Sequence, residues 1–225
     1  VFLDDSPFER ARVREALPEV FVPEMPDDKM LYPSLLRNLD CFDLPSLSEE
    51  DRKRTNMYSA AWARRDDLNQ VRADVTSLDD WLLGLQIKVQ AELLNEESRT
   101  RTGQLLNKTN QMNLTTRRLT EADLVEWASA PHRMLWTFRV SDKFGDAGLT
   151  GIASFELQED KAFITDYVLS CRVMGKRVEE TIVHKISESA RNLGVKYLVA
   201  KYQPTPKNKP CLEFWKCSGF LDEGK

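Results

Sequence analysis

Three clusters in this sequence have residue types and spacing suited to chemistry. The first is Asp4-Asp5, adjacent carboxylates after the apolar pair Phe2-Leu3 and before Ser6-Pro7. That order reads as the end of a buried strand, a loop, and a helix starting near Pro7 or Phe8. Carboxylates at the C-terminal end of a parallel strand sit where α/β folds place their sites. Hard oxygen donors there suit Mg2+, shared with substrate phosphate oxygens. Chemistry apart, the pair also reads as a solvated turn at a helix start.

The second cluster is Cys171-Arg172-Val173-Met174-Gly175-Lys176-Arg177, between a strand and a helix. Backbone N–H groups at a helix N-terminus attract anions, and Gly175 would let a phosphate come close to the backbone. Arg172, Lys176 and Arg177 add positive charge; the plainer reading is a basic, solvated helix entrance. The third is the polar block 107–118, with Asn107, Thr109, Asn110, Gln111, Asn113, Thr115 and Arg117. Such side chains either line a polar substrate pocket or order a long loop by bonding its backbone.

Other candidates are weaker. His132 and His184 stand alone, and Cys41, Cys171, Cys211 and Cys217 form no CxxC pair, so a structural zinc site is not expected. The thiols read as free groups in a reducing cytoplasm, mostly small and buried. Val178, Ile182, Ile186, Ala190 and Leu193 form an apolar stripe, and His184 falls on the opposite side at about 3.6 residues per turn.

Elements must position these clusters. The pattern predicts a short strand at 20–22, between Pro18 and Pro23, and a helix over 29–39 interrupted early by Pro33, giving 1–45 a β-α-β-α order. A helix starts at Ser48-Glu49-Glu50-Asp51 and runs through Met57, Tyr58, Ala61 and Trp62, with the charged stretch 64–74 as its end and linker. A short helix at 77–85, an alternating strand at 85–90 and helices at 96–106 and from Thr120 to Trp127 follow. Closely spaced strands at 134–140, 149–157 and 161–170 predict an antiparallel meander. A helix at 175–193, a strand at 196–202 and a helix at 209–217 complete the pattern.

Composition sets the bounds. The 225 residues carry 32 Lys+Arg against 36 Asp+Glu, a formal net charge of −4, which argues against a dedicated nucleic-acid binder. Charged residues at 30% and hydrophobic residues at 41% describe a globular chain. No apolar run approaches ~18 residues, and the N-terminus has no signal-peptide pattern, so neither a membrane span nor export is expected. Chains rarely open inside a core strand, so Phe2-Leu3 implies a preceding segment.

The segment Phe2-Leu3-Asp4-Asp5-Ser6-Pro7-Phe8-Glu9-Arg10 resembles the fourth motif of the haloacid dehalogenase (HAD) superfamily. Residues 104–118, from Gln104-Leu105-Leu106-Asn107 to Thr116-Arg117-Arg118, closely resemble a signature of the FkbH-like family, as do 48–55 followed by Met57-Tyr58. That family joins a HAD-type phosphatase domain to a domain similar to GNAT acyltransferases. The resemblance implies an enzyme that takes a phosphorylated glyceryl unit from bisphosphoglycerate, dephosphorylates it and loads it on an acyl carrier protein for polyketide extender units.

The implied organisation is the closing part of a HAD-like parallel α/β domain at 1–45, a helical connector at 46–84 and a GNAT-like α+β domain with a mainly antiparallel sheet at 85–225. Asp4 and Asp5 would hold Mg2+. Arg172 and Gly175 match the first two positions of the GNAT pyrophosphate loop, and Arg177 departs at the third, where that pattern has a small residue. This weighs against acetyl-CoA and is compatible with the phosphopantetheine arm of a carrier protein, which Arg172, Gly175, Lys176 and Arg177 would grip. Asn208, Phe214, Gly219 and Phe220 resemble the final-helix pattern of that fold, and Asn208 joins the arm-binding set. The HAD nucleophile motif Asp-x-Asp-x-Thr and the family's Cys-Ser-Lys-Asn motif are not in this sequence, so both are expected upstream of Val1. Two other classes stay open: an N-acyltransferase using acyl-CoA, and a non-catalytic carrier-protein docking module.

Overall fold

The structure, a computed structural model, describes residues 1–42, 53–71 and 78–222. The chain divides into two compact units, Val1–Arg52 and Lys53–Lys225. In the first, helix α1 (Pro7–Ala16) begins where Pro7 and a Ser6 cap predict, with the Ser6 hydroxyl accepting from the Glu9 N–H. The strands expected at 2–3 and 20–22 do not form. The Phe2 N–H donates to the Phe21 carbonyl at 3.0 Å, but no strand is found among residues 1–42. A ladder needs repeated bonds along both chains, and this pairing does not propagate. The helix expected over 29–39 is split into a 3-10 turn, Lys29–Leu31, and α2, Tyr32–Arg37. Pro33 explains the break, because proline is tolerated only in the first turn of a helix.

The second unit is a mixed α/β structure around a mainly antiparallel sheet. Its first helix, α3 (Arg54–Val71), keeps the charged stretch 64–71 that the sequence pattern assigns to a linker. Tertiary contacts explain the extension: Arg64 pairs with Asp142, and Asp67 accepts from the Trp81 indole N–H at 3.0 Å. The predicted helix start at 48–51 and residues 72–74 lie outside the described residues. Helix α4 (Leu78–Gly84) precedes β1 (Lys88–Leu93), which lies later than its expected 85–90 because Leu85 belongs to the helix turn. Helix α5 (Arg99–Lys108) leads to a two-residue strand, β2 (Met112–Asn113), inside the block expected to be all loop. Helix α6 (Glu121–Ala128) opens with the reciprocal Thr120–Asp123 capping box.

The meander forms as predicted: β3 (Arg133–Asp142), β4 (Gly145–Gln158) and β5 (Lys161–Leu169) pair antiparallel in sequence. Helix α7 (Val178–Asn192), strand β6 (Tyr197–Ala200) and helix α8 (Lys209–Cys217) follow. The strand order is β1-β3-β4-β5-β2, with β6 parallel to β5.

Two apolar clusters hold the sheet. One gathers Phe138, Phe155 and Tyr167 with Ile182 and Ile186 of α7 and Trp215 of α8. The other gathers Leu105 and Leu106 of α5 and Leu124 of α6 with Ile152 and Val168. Burying each such side chain contributes about 1.5–3 kcal/mol. Gly151 is required for one contact, since a Cβ there would lie 2.8 Å from Ile182 Cδ1. The α7 stripe is buried through Ala190, but Leu193 lies past the helix end and is 51% exposed. His184 is exposed as expected. Only Cys211 is buried among the four thiols; Cys41, Cys171 and Cys217 are exposed, because none sits on the apolar side of an element. Among the described residues, no helix is long and apolar enough to cross a membrane.

Candidate functional site

The loop between β5 and α7 is shaped by two left-handed residues, Gly175 at φ +72 and Arg177 at φ +62. These turn the chain so that the Gly175 N–H donates to Glu179 Oε1 at 2.6 Å. Glu179 is 7% exposed. Burial pushes its carboxyl above the ordinary glutamate value, while the N–H groups of Gly175, Glu179 and Lys176 pull it back. The loop therefore does bind an anion, and the anion is its own side chain.

The loop's cations do not converge on one point. Lys176 is half-buried with its ammonium 3.8 Å from Asp142 Oδ2, and burial pushes its pKa down. Arg177 is exposed and pairs with Asp79 at 2.9 Å. Arg172 is exposed and donates to Ser170 Oγ at 3.3 Å and the Ala147 carbonyl at 3.4 Å.

The block 107–118 is bonded internally. The Asn107 amide clips both backbone groups of Leu119, at 2.7 and 3.2 Å. The Thr109 carbonyl receives Asn113 Nδ2 at 3.0 Å, and Asn113 Oδ1 receives the Thr116 N–H at 2.8 Å. Asn110 Oδ1 accepts from Arg118 Nη2, and the Thr115 hydroxyl donates to the Thr165 carbonyl. Gln111 is exposed. Arg117 forms a bidentate pair with Asp166 at 3.1 and 2.5 Å, and Ser154 Oγ donates to the same carboxylate at 2.6 Å. The Arg117 guanidinium also lies 4.7 Å from the Trp127 ring centroid. Asn208 is fully buried and spends its amide on the Asn113 and Gln203 carbonyls, the Tyr202 hydroxyl and the Thr205 N–H.

Asp4 and Asp5 sit just before α1. Arg10 ties their carbonyls at 2.9 and 3.1 Å, Asp4 Oδ1 accepts the Ser6 N–H, and Asp5 Oδ2 accepts from Lys29 Nζ at 3.1 Å. Lys29 holds the Asp5 carboxyl below its usual range. Two carboxylates fit the donor set of Mg2+, which takes one or two with water and substrate oxygens. Among the described residues, no group of three or more His, Cys, Asp or Glu could hold a metal. A recess of about 390 Å³, lined by Glu24, Met25 and Leu31, contains none of the predicted residues.

Asp166, Glu179 and Asp142, the buried carboxylates around which these groups organise, belong to none of the three clusters seen in the sequence. Asp166 left a signal, a lone acid inside the apolar run Phe163 to Leu169. Glu179 left none, being one of several acids in an ordinary first helical turn.

No family model matches the chain, and no curated protein matches it. Solved structures similar to it include a ribosomal-protein-alanine N-acetyltransferase from Brucella melitensis, at 13% identity and TM-score 0.49, covering 61% of this chain and 96% of that one. An acetyltransferase from Trypanosoma brucei is 16% identical over 61% of this chain and 96% of its own, with TM-score 0.47. A GNAT family acetyltransferase from Staphylococcus aureus is 11% identical over 61% and 94%, with TM-score 0.43.

Proposed function

We propose that this chain is part of an enzyme that dephosphorylates a phosphorylated glyceryl unit and loads it on an acyl carrier protein. Its α+β unit receives the carrier protein's phosphopantetheine arm at the loop 171–177. The observation that carries this reading is the pair of exposed arginines, Arg172 and Arg177, at the outer surface of the loop. In the phosphatase step, Asp4 and Asp5 would hold Mg2+, which would neutralise phosphoryl oxygens, and Asp5 would share its charge with Lys29.

The test is calorimetric titration of an acyl carrier protein, in holo and apo forms, against the chain and its Arg172→Ala variant. The reading expects the variant to lose about tenfold or more in holo binding, from a charge-assisted bond of about 1.5–3 kcal/mol. The apo form, which lacks the phosphate, should change little. Equal losses for both forms would leave only attraction between a basic loop and an acidic partner. A glycerate-phosphatase assay with and without Mg2+ on the intact enzyme, with Asp4→Asn and Asp5→Asn, tests the metal role.

A further inference from the structure

The sheet has a point at which two parallel strands part. β5 pairs with β6 from Lys161↔Tyr197 to Ile164↔Ala200, and there the ladder ends while β5 continues to Leu169. Its other edge is paired with β4 along that continuation, through Leu169↔Gly151. A linear ligand with its phosphate at the loop after β5, and its amides along β5, has one place to lie. That place is the gap between β5 and the chain leaving β6.

This gap is already filled. Met112 and Asn113 pair antiparallel with Leu169 and Val168. The Leu114 N–H donates to the Tyr167 carbonyl at 3.1 Å, and the Gln203 N–H donates to the Leu114 carbonyl at 3.0 Å. Residues 112–114 are thus hydrogen-bonded to both flanking chains. They are also locked from the side, because Asn208 Nδ2 donates to the Asn113 carbonyl at 2.9 Å. Met112 is 2% exposed and Asn113 and Leu114 are fully buried. A second, separate observation agrees: the loop amide that would receive the ligand's phosphate is held by the Glu179 carboxylate.

We infer that residues 112–114 are a built-in occupant of the gap between β5 and β6, and that the unit does not take coenzyme A or any pantetheine chain there. The polar block that looks like a substrate pocket in the sequence supplies the chain's own substitute for a ligand. This holds independently of the carrier-protein reading, since an arm resting on the outer Arg172 and Arg177 leaves the gap closed.

Hydrogen exchange followed by NMR on the 225-residue chain, alone and with millimolar acetyl-CoA, tests the inference. The Leu114 and Gln203 amides should be strongly protected, and acetyl-CoA should leave that protection unchanged. Acetyl-CoA binding elsewhere on the surface, with both amides still protected, also supports it. Binding that accelerates exchange at Leu114 and Gln203 by tenfold or more would overturn it, because the strap would then yield to the ligand. So would fast exchange at both amides in the free chain. The carrier-protein titration is read separately, so either idea can fail without the other.

Discussion

The segments 107–118 and 171–177 look alike in the sequence, both polar, both placed at element ends, both rich in groups that could meet a substrate. The fold treats them differently. In 107–118 the amides of Asn107, Asn110 and Asn113, the Thr115 hydroxyl and Arg117 are bonded to the protein itself, and Asn113 and Leu114 have no exposure at all. In 171–177 the backbone is satisfied internally by Glu179, but Arg172 and Arg177 remain at the surface. Polar density alone therefore does not mark a site; the two segments differ in whether their charged groups stay accessible once the backbone is satisfied.

The largest test of this contrast is Asp166→Ala. Removing one partner of a buried, hydrogen-bonded ion pair costs about 3–5 kcal/mol. Denaturant unfolding should show a loss of that size, since Asp166 is fully buried against Arg117 and Ser154. A loss under about 1 kcal/mol would make the pair dispensable to the fold, and 107–118 would return as a candidate pocket. Next comes Arg177→Ala, with holo carrier-protein affinity falling about ten- to a hundredfold, or roughly 1.4–2.8 kcal/mol. Its stability should barely move, because the Asp79 pair is exposed on both sides. A melting transition that shifts as much as for Asp166→Ala would erase the distinction between the two segments.

Asn107→Ala should cost about 1 kcal/mol, for two solvent-facing bonds to Leu119, and leave carrier binding unchanged. Loss of binding without loss of stability would move Asn107 to the functional side.

The smallest effects concern pH. Burial pushes the Asp142 carboxyl up, but Arg64, the Phe144 N–H and Lys176 outweigh it, and the net shift is below the ordinary 3.8. Its contribution is complete above about that pH and is lost as pH falls through the lowered folded value. Arg64→Ala should therefore bring acid unfolding in at higher pH. Glu179 has the opposite sign. Its carboxyl is raised above 4.5, so its contribution is complete below that value and lost as pH rises through the folded one. Glu179→Gln should flatten stability on that side, and an unchanged profile would mean that the carboxylate is not seated in the loop.

Elements whose signals are local were legible in the residues alone. The Thr120–Asp123 capping box, Pro7 at the start of α1, the α7 stripe and the meander of β3, β4 and β5 all follow from neighbours within a few residues. Which polar groups are satisfied internally depended on contacts between segments far apart in the chain. Arg117 and Asp166 are separated by 49 residues, and Asn208 and Asn113 by 95, and no local period connects either pair. The same holds for the helical state of 64–71, where contact of Arg64 with Asp142 outweighs a charge pattern that reads as linker. Strand β2 is the sharpest case. Two residues have too little period to register as a strand, and Met112-Asn113 become one because β5 and β6 part and the exposed backbone of β5 must be paired.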